Sequence, residues 1–252
     1  MTILFELAII AANLALCSVL NLRRIYESYP RLYGYVFFQA FAAAASLIVY
    51  VTHFSVTYVI TYYMLIFFGG ICAAMTAGEL SGKLLGPRGA LPAWVTARLL
   101  IFMGTGMAAA LTAAGVFYAS RGGNITRALM TAEQWMSGAL WVAFSVILIF
   151  WRTLKVFRRQ TRAASICLGF VLYFTVSIFA VFVRGHKVPA ELTEAAKHAG
   201  MIAYLIMLLW WTGVLLMPAP VFEKATAEQK EQVLDEFEQT QQAAGRVAIA
   251  SR

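Results

Sequence analysis

Aspartate is almost absent from this chain: of its 12 acidic residues, only Asp235 is an aspartate. It lies in a polar C-terminal segment, so no long apolar run contains one. Reactions inside a membrane that depend on paired aspartates are therefore disfavoured. They include aspartyl intramembrane proteolysis and the transfer of prenyl or alcohol-phosphate groups at aspartate-bound metal ions.

Other catalytic patterns are also missing. There is no HExxH zinc motif, Ser81 lacks the spacing of a nucleophile elbow, and Ser137 lacks the first glycine of a rhomboid-type GxSG. The predicted last span, residues 198–217, contains no lysine, so a retinal Schiff base is not expected. We predict no cofactor, and these absences disfavour an enzyme.

Cysteine is scarce, with only Cys17, Cys72 and Cys167 in the chain. Each falls within an apolar run and none forms a CxxC pair. A disulfide framework or a cysteine metal site is not indicated, and small buried side chains are the simpler interpretation.

Apolar residues dominate what is present: the chain is 61% hydrophobic and 13% charged. Apolar runs recur that are long enough to cross a hydrocarbon core of about 30 Å. They predict an all-α integral membrane bundle of seven transmembrane helices in residues 1–220. The predicted spans are 3–21, 33–53, 56–78, 93–118, 129–151, 163–183 and 198–217. The first run carries Glu6 and Asn13 and is expected to be a mature span rather than a cleaved signal.

Basic residues predict the orientation. With the N-terminus outside, the cytoplasmic links hold ten lysines and arginines and the external links hold five. We therefore expect an N-out, C-in protein of the cell inner (plasma) membrane. Because the basic residues lie in short links between spans, nucleic-acid binding is not expected. Residues 221–252 are predicted to form a short acidic cytoplasmic helix and tail.

Polar side chains near the predicted outer face are the main candidates for a ligand or metal site: Glu6, His53, Glu133, Arg184 and His198. Imidazole and carboxylate groups bind transition metals, and histidine titrates near physiological pH. The alternative is that these are ordinary interfacial residues. Glu133 with Arg184 is the pair we would test first as a clamp or ligand contact.

On the cytoplasmic side, Glu79 and Arg98 lie at matching depths and predict an ion pair between two spans. Residues 79–92 are predicted to be a loop because they contain several glycines and prolines. Asn13 and Gln39 lie deeper and predict hydrogen bonds between helices. Otherwise the polar groups are expected at the two faces, with few at mid-depth.

A basic, aromatic segment from Arg23 to Tyr35, followed by Tyr62, Tyr63 and Glu79, resembles a pattern in uncharacterised bacterial seven-span membrane proteins. The resemblance covers the first three spans. It implies the seven-span topology and brings no activity, substrate or catalytic residue.

The sequence favours a sensory, partner-regulating or assembly protein. The basic link 152–162 and the acidic segment 223–243 are candidate surfaces for a membrane or cytoplasmic protein partner, in addition to the lipid bilayer. A small-solute transporter or channel component is the first alternative, and an intramembrane enzyme is the second.

Overall fold

The structure is a computed structural model that describes residues 2–52, 55–85, 125–153, 161–185 and 189–217. It also describes isolated helical positions at 101, 104–106, 109, 112, 116 and 235. Every regular element in these ranges is an α-helix.

Seven helices are continuous in the described ranges: α1 (Thr2–Leu22), α2 (Ile25–Ser28), α3 (Pro30–Val51), α4 (Ser55–Leu85), α5 (Ile125–Thr153), α6 (Thr161–Gly185) and α7 (Ala190–Leu216). Two of the starts have a clear local cause. Pro30 occupies the first turn of α3, where its missing N–H costs nothing, and Pro189 is the residue before α7.

Six of these helices, all except the one-turn α2, are long and apolar enough to cross a membrane. Large apolar side chains point away from the bundle on every one of them; Leu4, Phe41, Phe179 and Leu209 are all more than half exposed. Such a continuous apolar exterior is unfavourable in water and favourable in lipid. The chain therefore has the architecture of a multi-pass helical membrane protein.

The six long helices form a closed ring in the order α1, α3, α4, α5, α6, α7, with α7 returning to α1. Side-chain contacts define their directions. Asn21 near the end of α1 donates to the hydroxyl of Tyr33 near the start of α3, while Phe5 and His198 pair the starts of α1 and α7. At one end of the bundle, which we call the amino end, α1, α4, α5 and α7 begin and α3 and α6 finish.

Aromatic rings fill the middle and the opposite half of the bundle. Phe170 stacks on Phe144 at 4.2 Å between centroids and meets Trp211 edge-on at 4.6 Å. Tyr35 packs edge-on against Phe170 at 5.2 Å. All four side chains are almost completely buried, and they join α3, α5, α6 and α7. Edge-to-face and offset contacts of this kind add to the packing of the rings themselves.

Two predicted boundaries are wrong. Residues 79–85 are not a loop, because α4 continues to Leu85 with Leu80 and Leu84 fully buried, and this packing outweighs the helix-breaking tendency of Gly82. The last span does not begin at His198, since α7 begins eight residues earlier at Ala190. Most of 86–124, most of the link 152–162 and the tail other than the exposed helical Asp235 lie outside the described residues.

Candidate functional site

A cavity of about 480 Å³ lies inside the ring and is lined by all six long helices. Most of its lining residues come from the amino-end half of the helices, and it reaches down to Tyr35, Leu140 and Tyr204. From Lys197 to Tyr204 is seven residues of helix, a rise of about 10 Å. The cavity is thus a vestibule that runs from the amino end to about the middle of the bundle.

Among the described residues, three charged side chains line the cavity: Glu6, Glu133 and Lys197. Lys197 is exposed and close enough to the half-buried Glu6 to interact with it electrostatically. Glu133, on α5, is only 7% exposed. Glu6 and Lys197 therefore place opposite charges close together near the amino end, and Glu133 places a buried carboxyl group on the wall of the cavity.

Five of the chain's eleven tyrosines also line the cavity: Tyr35, Tyr62, Tyr63, Tyr173 and Tyr204. They come from α3, α4, α6 and α7, so the aromatic wall is assembled from four helices. Two pairs meet edge to face. The centroid distance is 5.4 Å for Tyr62 and Tyr63 and 5.3 Å for Tyr173 and Tyr204.

The floor of the cavity is polar and buried. The Tyr204 hydroxyl donates to Oδ1 of Asn13 at 3.2 Å, and Asn13 Nδ2 donates to the carbonyl of Ile9 at 2.9 Å. This confirms the interhelical hydrogen bond predicted for Asn13. The Tyr35 hydroxyl interacts with both Tyr204 and Gln39, which extends the network to α3. Below it lie the buried rings of Phe144, Phe170 and Trp211.

Two glycines on α4 leave room for side chains of the cavity wall. A Cβ atom at Gly69 would lie 2.8 Å from the amide nitrogen of Gln39. A Cβ at Gly70 would overlap Sδ of Met136 on α5. Close approach at these positions lets Gln39 and Met136 reach the cavity without pushing α4 out of the ring.

The outer-face candidates divide into three groups. Glu6 and Glu133 converge on the cavity. His198 does not line it: its ring lies 5.6 Å from that of Phe5, and its Nε2 is buried without a hydrogen-bond partner among the described residues. His53 and the side chain of Arg184 lie outside the described residues, so their predicted roles, including the Glu133–Arg184 pair, stay predictions.

Metal ligation stays a prediction as well. In the described ranges, no group of three or more His, Cys, Asp or Glu side chains is placed to hold an ion. The carboxylates available in the cavity are those of Glu6 and Glu133.

Glu79 contacts the start of α3. Its carboxylate accepts hydrogen bonds from the backbone N–H groups of Arg31, at 3.4 Å, and Leu32, at 3.0 Å. Arg98, its predicted partner, lies outside the described residues.

Lys197 and the five tyrosines are the cavity residues that the sequence did not single out. Lys197 was assigned to an external link because the last span was expected to begin one residue later. Tyr35, Tyr62 and Tyr63 were noted only in the family resemblance, and apart from Asn13 and Gln39 few polar groups were expected at mid-depth. In the sequence, the adjacent Tyr62 and Tyr63 were the feature that could have indicated the aromatic wall.

Comparison with models of known families, with curated proteins and with solved structures finds no match to this chain.

Proposed function

We propose that this chain is a seven-span inner-membrane sensory protein with its N-terminus outside, which receives a small ligand in the cavity and reports it to the cytoplasmic side. The observation that carries the proposal is a vestibule, about 480 Å³ in volume, that ends on buried aromatic rings at mid-bundle. Ligand cavities of several hundred Å³ between helices are typical binding sites.

The directions of the helices support the seventh span. Both α4 and α5 begin at the amino end: Tyr62 and Met130, near their starts, line the same cavity. Glu79, near the end of α4, meets the start of α3 at the opposite end. The chain between α4 and α5 therefore has to return to the amino end, and its described positions from Ile101 to Val116 are helical.

The charge pattern supports the orientation. With the N-terminus outside, the ten basic residues of the cytoplasmic links lie at the end opposite the cavity. The amino end then faces outwards, and the cavity opens to the outer aqueous phase rather than to the cytoplasm.

The buried rings below the cavity and the unbroken helices favour reception over transport. A transporter needs a second route past its binding site, often through a broken helix. Here α3, α4, α5, α6 and α7 are continuous, and no proline lies within any of them beyond the first turn. Phe144, Phe170 and Trp211 are completely buried below the cavity.

Two helices connect the cavity with the opposite end. Tyr204 lines the cavity on α7, and Met217, just after that helix, accepts a hydrogen bond from Arg162 at the start of α6. Gln39 lines the cavity on α3, whose first turn is held by Glu79. A ligand that shifts α3 or α7 would therefore change contacts beside the basic link 152–162 and the tail 221–252.

Cysteine accessibility tests this proposal. Cys17, Cys72 and Cys167 do not line the cavity and are replaced with alanine in the background chain. Ser177→Cys places a thiol on the cavity wall of α6, and Ser165→Cys places one on the same helix near the opposite end. Membrane-impermeant thiosulfonates, one cationic and one anionic, are added to intact cells and to inside-out vesicles.

We expect Ser177→Cys to react with at least one of the two reagents in intact cells and with neither in inside-out vesicles. Ser165→Cys should not react with either reagent in intact cells. Reaction of Ser177→Cys only in inside-out vesicles would reverse the proposed orientation. Reaction from both sides would show a continuous pathway and favour the transporter or channel alternative.

A further inference from the structure

We propose that the cavity binds a small organic cation, an ammonium group carried on a compact apolar frame. The inference deepens the proposed function and rests on it in one respect, namely that the ligand enters from the outer side. The cavity's charge, its aromatic wall and its apolar lining each support this ligand class independently.

The charge of the lining favours a cation. Among the described lining residues, the carboxyl groups of Glu6 and Glu133 outnumber the one amine, that of Lys197. Glu133 adds a second carboxylate, and at 7% exposure it is the most buried of the three charged lining residues. In a site of low dielectric a carboxylate interacts more strongly with a cation than it does in water, and a bound cation stabilises the charged form of the carboxyl group.

The aromatic wall also favours a cation. The ring faces of tyrosine attract an ammonium group, with about 0.5–2 kcal/mol for each favourable contact. Within the pairs Tyr62–Tyr63 and Tyr173–Tyr204, the ring planes are inclined by 81° and 64°. The lining therefore contains tyrosine rings in more than one orientation.

The remaining lining fits an alkyl frame rather than a bare metal ion. Met130, Met136 and Met201 supply flexible apolar contacts, and alanines of α3 and α4 leave space between the rings. A metal ion needs several oxygen, nitrogen or sulfur ligands close together. Among the described residues no group of three such acidic, histidine or cysteine side chains occurs.

Choline and 3,3-dimethylbutan-1-ol form a matched pair of probes, since they have nearly the same shape and differ in the positive charge. Each compound is tested in nanodiscs on the full chain that lacks its three native cysteines and carries Ser177→Cys. The measurement is how far the compound slows the reaction of this thiol with the faster of the two thiosulfonates. We expect choline to halve the reaction rate at a concentration at least about tenfold lower than the neutral alcohol requires. A tenfold difference in affinity corresponds to about 1.4 kcal/mol of binding free energy.

Charge variants give the direction of the effect. Glu133→Gln should weaken protection by choline about tenfold, and Glu6→Gln should weaken it to a smaller extent. Lys197→Gln should strengthen it, because it removes a cation from the lining. Glu191→Gln is the matched control, since Glu191 is an exposed carboxylate at the start of the same helix and does not line the cavity.

Equal protection by choline and the neutral alcohol would overturn the cation proposal, as would stronger protection by a carboxylate of similar size such as 3,3-dimethylbutanoate. If Glu133→Gln does not fold, Glu6→Gln and Lys197→Gln still have to shift protection in opposite directions.

The two proposals fail separately: a cavity reached from outside that does not prefer cations refutes only the ligand class. A Ser177→Cys thiol that neither reagent reaches from outside refutes the proposed function itself.

Discussion

The carboxylate of Glu79, near the end of α4, caps the first turn of α3 by accepting hydrogen bonds from the backbone N–H groups of Arg31 and Leu32. The first N–H groups of a helix have no partner within the helix, and its N-terminus carries partial positive charge. A carboxylate supplied by a neighbouring helix satisfies both needs. Thr76 adds a hydrogen bond to the carbonyl of Arg31 at 3.3 Å, so α3 and α4 are joined at two adjacent turns of α4.

Replacing this cap should destabilise the bundle. We expect Glu79→Ala to lower the free energy of unfolding by about 1–3 kcal/mol, because two backbone donors lose a charged acceptor. Thermal unfolding in detergent measures the change, with Glu27→Ala as the control because Glu27 is an exposed glutamate in the preceding one-turn helix. Equal effects of the two substitutions would contradict the capping role.

Gly169 should not tolerate a side chain. A Cβ there would overlap Nε1 of Trp211, which is fully buried and donates to the carbonyl of Ile166 at 3.2 Å. We expect Gly169→Ala to cost about 1–3 kcal/mol through overpacking and to change the tryptophan fluorescence. At Gly138 an added Cβ meets nothing within 4 Å, so Gly138→Ala should be neutral or stabilising by about 0.4–1 kcal/mol. Similar losses in both variants would refute the steric explanation.

The hydrogen bond between Asn13 and Tyr204 should be measurable by a double-mutant cycle. Both residues are buried and lie on two helices that are far apart in the sequence. We expect Asn13→Ala and Tyr204→Phe to show a coupling energy of about 0.6–1.7 kcal/mol. Ser18→Ala on the same helix is the control, because the Ser18 hydroxyl bonds within α1 to Leu14. A coupling with Asn13 no larger than with Ser18 would exclude the bond.

Tyr29 should make the protein sensitive to alkali. Burial raises the pKa of Tyr29 to about 12, and nearby Glu79 acts in the same direction while Arg162 opposes it. In the unfolded chain a tyrosine ionises near pH 10. Between these two values the unfolded state loses the proton and the folded state keeps it, so stability falls as pH rises through this window.

Tyr29→Phe should therefore lose less stability than the wild type when pH is raised from about 9 to about 12. The same substitution keeps the aromatic ring beneath Lys83, whose Nζ lies 4.5 Å from the ring centroid. Unfolding temperatures at the two pH values provide the measurement, with Tyr26→Phe as a control at an exposed tyrosine of the same segment. Identical alkaline losses in the wild type and in Tyr29→Phe would contradict the assignment.

The spans themselves were predictable because lipid imposes a simple rule: an apolar helix of about 20 residues satisfies its own backbone and buries its side chains in hydrocarbon. The predicted spans 3–21, 33–53, 129–151 and 163–183 each fall within a helix of the structure apart from two residues at the end of the second. The boundary at Glu79 was missed because Gly82 was interpreted as a breaker, whereas burial of Leu80 and Leu84 holds the helix together.

The candidate site was predictable only in part. An ionisable residue near the end of a span stands out in a sequence, and on that basis Glu6 and Glu133 were identified. Whether two such residues meet depends on the rotation of each helix about its axis. Apolar side chains that face lipid do not determine this rotation. His198 shows the difference: it lies one residue from Lys197, yet it packs against Phe5 while Lys197 lines the cavity.

The sequence alone therefore determined that this is a helical membrane bundle and where most of its helices lie, since both follow from the length and composition of single segments. Only the tertiary structure decided that Glu79 caps α3 and that, among the described residues, two carboxyl groups, one amine and five tyrosines line the same cavity above buried aromatic rings. These relationships join residues up to 191 positions apart, as between Asn13 and Tyr204. They follow from the order and rotation of helices in the ring, which close packing between neighbouring helices determines.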